Sequence, residues 1–160
     1  MRASYILTAY LSVYAPRMVS PWQGGFPGTG MDPADHGPCN NLMHIPLPKG
    51  TASAAYLDAL RTRALPFLLG GGGGGSPAAA TPPSLLLVCA GYDALAADPL
   101  ATMALTPADF YASARMITAE FGFPPSRIAL GLEGGYDLSH VEGMPAALVQ
   151  TCKALVEQER

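Results

Sequence analysis

Two unbroken apolar runs, each leading into glycine, constrain this chain more than any other feature. Leu85-Leu86-Leu87-Val88-Cys89-Ala90 runs into Gly91, and Ile128-Ala129-Leu130-Gly131-Leu132 runs into Glu133-Gly134-Gly135. Neither alternates polar with apolar residues, so each reads as a parallel strand covered on both faces. Parallel neighbours need a crossover, and the residues between supply a helix. Thr106 caps it, Pro107 takes the first helical position and Asp109 the third. Phe110, Ala114, Ile117 and Phe121 give it an apolar stripe, while Gly122 and Pro124-Pro125 stop it. Strand, helix and strand in this order predict an α/β fold with a parallel sheet.

The flanking segments extend the pattern. Residues 5–14, rich in Tyr, Ile, Leu and Val, read as a further buried strand. Pro16 and Pro21 open a loop through Gly24-Gly25-Phe26-Pro27-Gly28-Thr29-Gly30 to Asn41, and residues 42–47 read as a short strand. Thr51 or Ser53 caps a helix to about Leu65, with Tyr56, Leu57, Leu60 and Ala64 on one face. The last helix starts either at the capping box Ser139-x-x-Glu142 or at Met144, because Gly143 and Pro145 weaken the earlier start. Its apolar positions are Val141, Leu148, Cys152 and Leu155.

Six glycines at 70–75, followed by Ser-, Pro- and Ala-rich sequence to Pro83, predict a disordered insertion. No Lys-Ser or Lys-Thr follows the glycines, so they are no phosphate-cradling loop. This tract absorbs much of the excess in a chain whose 18 glycines and 16 prolines far exceed average usage. Nine basic against 12 acidic residues, without a basic cluster, exclude a charge-driven nucleic-acid partner. Three cysteines, an odd number with no paired spacing, argue against a disulfide scaffold and predict a reducing compartment. No apolar stretch reaches the ~18 residues of a membrane span. The apolar residues after Met1-Arg2-Ala3 read as a strand rather than an export signal, so the expectation is an intracellular protein, nuclear or cytoplasmic, with no membrane partner.

In parallel α/β folds ligands bind at the carboxyl ends of the strands. Two polar clusters lie there: Gly91-Tyr92-Asp93 with Asp98-Pro99-Leu100, and Glu133-Gly134-Gly135-Tyr136-Asp137. A carboxylate leaving a buried strand end ligates a metal, acts as a base or caps the next helix, and the residues alone leave Asp93 open among these. Tyr136 after two glycines either reaches over a pocket or packs a turn.

Taken together, Cys89-Ala90-Gly91-Tyr92-Asp93-Ala94, Asp98-Pro99-Leu100 and Leu132-Glu133-Gly134-Gly135-Tyr136-Asp137-Leu138 resemble the zinc-dependent histone deacetylase superfamily, whose fold is arginase-like. Gly25-Phe26-Pro27-Gly28-Thr29-Gly30 and Asn41-Leu42-Met43-His44-Ile45-Pro46-Leu47-Pro48 resemble two further family segments. The resemblance implies that Asp93 is one ligand of a catalytic Zn2+. It implies that the Tyr136 hydroxyl donates a hydrogen bond to the oxyanion formed as water attacks an acetyl-lysine amide. Phe26 and Leu100 would line the acyl-lysine channel, bordered by Gly134 and Gly135. The implied partners are acetylated lysines of histones or other proteins, and the implied setting is chromatin regulation.

The family's other zinc ligands, from a D-x-H motif, and its tandem His-His base match nothing in these 160 residues, whose histidines are His36, His44 and His140. Asp32, Asp35 and His36 fall in a segment that varies in the family. The expectation is therefore the carboxyl-terminal portion of a deacetylase-like domain over residues 1–160, catalytically incomplete as this chain and without stably bound zinc. The resemblance leaves two alternatives: an acetylpolyamine amidohydrolase, or a non-catalytic truncated or degenerate remnant.

Overall fold

The structure, a computed structural model, describes residues 34, 43–45, 47–69 and 83–157. The predicted strand at residues 5–14, the Gly25–Gly30 loop with Phe26, and residues 70–82 of the insertion lie outside these.

Helix α1 (Ser53–Ala59) is capped by Ala52 in an extended conformation. Neither predicted cap serves: Ser53 is already helical, and the Thr51 hydroxyl donates to the Pro48 carbonyl at 2.6 Å. The helix continues through a π-helical turn, Leu60–Ala64, into α2 (Leu65–Leu69). There the Leu65 N–H bonds the Leu60 carbonyl, a widened ladder immediately before Pro66, which has no N–H to offer. The expected face is correct, with Leu60 and Ala64 buried and Tyr56 and Leu57 half-buried. Residues 43–45 and 47 form no strand, a correction to the reading of residues 42–47. Ile45 and Leu47 are buried there as irregular chain packed on the main core, so their apolar character reflects burial and not pairing.

Strand β1 (Leu86–Ala90) pairs in parallel with β2 (Ile128–Leu132), from Leu86 opposite Ile128 to Ala90 opposite Leu132. The crossover carries α3 (Pro107–Arg115), extended by a π-helical turn, Met116–Glu120, and a 3-10 turn, Pro125–Arg127. The predicted start of α3 is observed: the Thr106 N–H and hydroxyl donate to Asp109 Oδ2 at 2.7 and 2.9 Å. Its end is as predicted too. Gly122 turns the chain at φ +67°, which favours glycine. Arg61 bridges the two π turns through a two-point ion pair with Glu120, at 2.6 and 2.9 Å.

Among the described residues the strands are not covered on both faces. Leu86 is buried, but Leu87 is exposed and Leu132 is 58% exposed. Only Ile128 of β2 is even half-buried. Continuous apolar sequence thus marks strands built for more covering than these residues provide.

Helix α4 (Met144–Val156) starts at Met144 with Gly143 as its cap, the later of the two candidate starts. A Cβ on Gly143 would lie 2.4 Å from the Asp137 carbonyl oxygen, so the tight turn from Asp137 admits no side chain there. The packed face of α4 is Ala147, Thr151 and Ala154, while Val141 and Cys152 are exposed. Of the predicted apolar stripe Leu148, packed against the cluster of Tyr92, Leu95 and Ala147, and Leu155 are half-buried, and small residues lead the face because they allow close helix contact. No helix among the described residues is long and apolar enough to cross a membrane.

Candidate functional site

The carboxyl ends of β1 and β2 run on into two loops that interlock through the backbone. Glu133 N–H donates to the Ala90 carbonyl at 3.1 Å, and Tyr92 N–H donates to the Gly134 carbonyl at 2.8 Å. Each loop therefore satisfies the polar groups that the end of the sheet would leave bare. The parallel register sets which residues meet.

Tyr92 anchors this arrangement from below. It is almost fully buried, its ring lies 4.9 Å from Phe110 of α3, and its hydroxyl donates to Thr151 of α4 at 3.2 Å. Thr151 in turn donates to the Ala147 carbonyl at 2.9 Å. One aromatic side chain thus ties both helices beneath the end of β1. Burial pushes its phenol upward in pKa, partly offset by the bond to Thr151, so it stays neutral and serves as a donor.

Asp93, one residue on, points its carboxylate at the second loop. A Cβ on Gly134 would sit 2.7 Å from Asp93 Oδ2, and one on Gly91 would sit 3.1 Å from Oδ1. A side chain at Gly134 would force the Asp93 carboxylate to shift, and one at Gly91 would crowd it. Burial, then the charge of Asp98, raise the Asp93 carboxyl above the ordinary aspartate range, with Glu133 adding to the rise. The negative charge here lacks full compensation, the electrostatic condition that a bound cation relieves. Asp93 fits as one hard oxygen ligand for zinc. Among the described residues no three His, Cys, Asp or Glu side chains form a metal-binding group.

Gly135 adopts φ +132°, a conformation side chains rarely take, and a Cβ there would lie 2.9 Å from Tyr92 Cβ. The chain then presents Tyr136, 55% exposed, with its backbone N–H donating to Asp98 Oδ2 at 2.8 Å. Leu100 is 47% exposed on the turn after Asp98. Of the residues singled out in sequence, Asp93, Gly134, Gly135 and Tyr136 come together at one end of the sheet, and Leu100 sits on the turn that Asp98 holds. Phe26, Asp32, Asp35 and His36 fall outside the described residues.

Two contributors escaped sequence reasoning. Tyr92 was legible only as part of a motif, because its partners Phe110 and Thr151 lie in distant helices. Asp98 was noted beside Pro99, yet its bond to Tyr136 crosses 38 residues, and no local pattern announces such a contact.

Comparison with known proteins gives a consistent picture. The family model described as histone deacetylase domain matches residues 8–152. An uncharacterized protein of Synechocystis sp. is 37% identical over 131 residues, covering 82% of this chain and 37% of that protein. Type-2 histone deacetylase 2 of Dictyostelium discoideum is 27% identical over 138 residues, covering 82% of this chain and 8% of that protein. The crystal structure of the HDA15 HD domain superposes with a TM-score of 0.64 at 26% identity, covering 83% of this chain and 35% of that one. The fold is accordingly that of part of an α/β deacetylase domain. The chain spans little more than a third of the Synechocystis protein and a smaller share of the Dictyostelium one.

Proposed function

The chain belongs to the histone deacetylase family, and on that premise we propose that it supplies part of a zinc-dependent site that hydrolyses acetyl-lysine amides of histones or other proteins. The observation that carries this reading is the seating of the Asp93 carboxylate against Gly134, two residues before Tyr136. A strand-end carboxylate and an exposed phenol are thereby set on interlocked loops.

In this reading Asp93 is one oxygen ligand of a Zn2+ ion, and its uncompensated charge favours that role. The ion, when bound, supplies Lewis acidity toward the amide carbonyl and water. Tyr136 donates its phenolic O–H to the oxygen that gains negative charge as the carbonyl becomes tetrahedral; a phenylalanine has no such donor. Gly134 and Gly135 keep the approach free of side chains, and Leu100 offers an apolar surface to the methylene stem of the lysine, a role Phe26 shares. The ordinary zinc site takes three protein ligands, and the 160 residues contain neither a D-x-H nor a His-His. The chain by itself therefore holds zinc weakly and turns over no substrate.

The purified chain is expected to carry far less than one zinc per molecule by elemental analysis and to leave a fluorogenic acetyl-lysine peptide intact. Stoichiometric zinc with turnover would overturn the incompleteness. In a form carrying both motifs, Tyr136→Phe should lower kcat by roughly 10²–10³-fold with zinc retained, whereas Asp93→Asn should lower zinc content as well. Full kcat in Tyr136→Phe would remove the oxyanion role.

A further inference from the structure

We propose that Asp98 is a positioning residue: its buried carboxylate fixes the main chain of Tyr136 and the turn bearing Leu100 to the loop that carries Asp93. This rests on the deacetylase reading for its catalytic consequence, though not for its geometry. Asp98 is only 7% exposed. Its Oδ1 accepts the Leu100 and Ala101 N–H groups at 2.8 and 3.0 Å, and its Oδ2 accepts the Tyr136 N–H at 2.8 Å. Its own N–H donates to the Leu95 carbonyl at 3.0 Å, and Leu95 N–H donates to the Tyr92 carbonyl at 3.3 Å. A chain of bonds thus runs from Tyr92, the neighbour of Asp93, through Asp98 to Tyr136.

A buried carboxylate is costly unless its lone pairs are used, and three backbone donors use them here. Only a carboxylate suits the position, since it offers acceptors on both oxygens. An amide offers one acceptor and one NH2 group, so it cannot serve both sides. With two donors on the Oδ1 side, an asparagine keeps its carbonyl there and turns its NH2 toward the Tyr136 N–H, donor against donor. Asp98→Asn therefore separates the two functions: the Leu100 turn survives and the bond to Tyr136 is lost.

The test is residue-resolved amide exchange by NMR on the 160-residue chain. In Asp98→Asn, Tyr136 should exchange roughly ten- to a hundredfold faster, the loss of one charge-assisted bond, while Leu100, Ala101 and the β1–β2 amides keep their protection. Asp98→Ala should release Leu100 and Ala101 as well. Unchanged Tyr136 protection in Asp98→Asn, or equal release of all three amides, would overturn the proposal. Should the variants fail to fold, the unsubstituted chain still decides: a through-hydrogen-bond coupling between the Tyr136 amide nitrogen and the Asp98 carboxylate carbon is expected, and its absence would refute the contact. In a form of the enzyme with both missing motifs, Asp98→Asn should lower kcat about tenfold or more with little change in KM, and add nothing in a Tyr136→Phe background. Equal losses in both backgrounds would refute action through Tyr136. A fully active Tyr136→Phe would instead remove the oxyanion role and leave the exchange results standing, whereas absence of any acetyl-lysine turnover in the form with both motifs would sink the deacetylase reading alone.

Discussion

Replacing Gly135 by alanine tests whether the second loop is shaped by collision or by conformation alone. The backbone there has φ +132°, and an added Cβ would lie 2.9 Å from Tyr92 Cβ and 3.0 Å from Met144 Cγ. The conformational cost for a non-glycine residue is about 1–3 kcal/mol. Crowding a side chain whose Cβ is fixed to a buried, hydrogen-bonded ring adds about 1–3 kcal/mol. Two other glycines isolate the contributions. Gly50 has φ +77° and, among the described residues, no atom within 4 Å of an added Cβ, so its alanine variant carries conformational cost only, about 1–2 kcal/mol. Gly131 has no positive φ and, among the described residues, no atom within 4 Å of an added Cβ, and alanine there should stabilise β2 by about 0.5 kcal/mol. Urea unfolding followed by circular dichroism should rank the midpoints Gly131→Ala highest, then Gly50→Ala, then Gly135→Ala. With a slope near ~2 kcal/mol/M, the last two should differ by about 1 M. Equal midpoints for Gly135→Ala and Gly50→Ala would show that the approach of the loop to Tyr92 is not a close one, and the packing argument for the site would fail with it.

Other expectations follow from the same contacts. Tyr92→Phe should cost about 0.5–1.5 kcal/mol in urea unfolding, because Thr151 keeps its own acceptor at Ala147 and loses only the phenol's bond. A loss above about 3 kcal/mol would mean the ring itself had moved. Burial pushes the Tyr56 phenol to about 12, against a partial offset from a bond with Ser113. The folded value lies above the unfolded one, so the contribution is fully present below pH ~10 and is lost as pH rises toward about 12. Alkaline unfolding of Tyr56→Phe should therefore show a shallower loss of stability over that window, and an identical slope would count against the burial of this phenol.

Much of the fold was written in local signals. The Thr106-Pro107-Asp109 start and the Gly122 stop of α3 depend on residues within a few positions of one another, and both are observed. The clustering of Asp93, Gly134, Gly135 and Tyr136 followed from two strand ends in a parallel sheet. What escaped was decided by partners far along the chain. Residues 42–47 resembled a strand because burial and strand pairing ask for the same side chains, and periodicity cannot separate them. The α4 contact was read only in part, at Leu148 and Leu155, because alanines and a threonine, which allow the closest approach, carry the weakest apolar signal. Asp98 was placed in the polar cluster at the first strand end, but its bond to Tyr136 answers to a residue no local rule connects to it.

The bond from Asp98 to Tyr136 also orders events in time. Its ends are 38 residues apart and bracket the whole α3 crossover, so the chain must close that loop before either end gains anything from the other. The contacts from Tyr92 to Thr151 and from Arg61 to Glu120 close longer loops still, 59 residues each, so the site depends on pairings distant in sequence. A chain stalled after making α3 has its helix but no Tyr136 in place. Acquisition of the site therefore reports completion of the crossover.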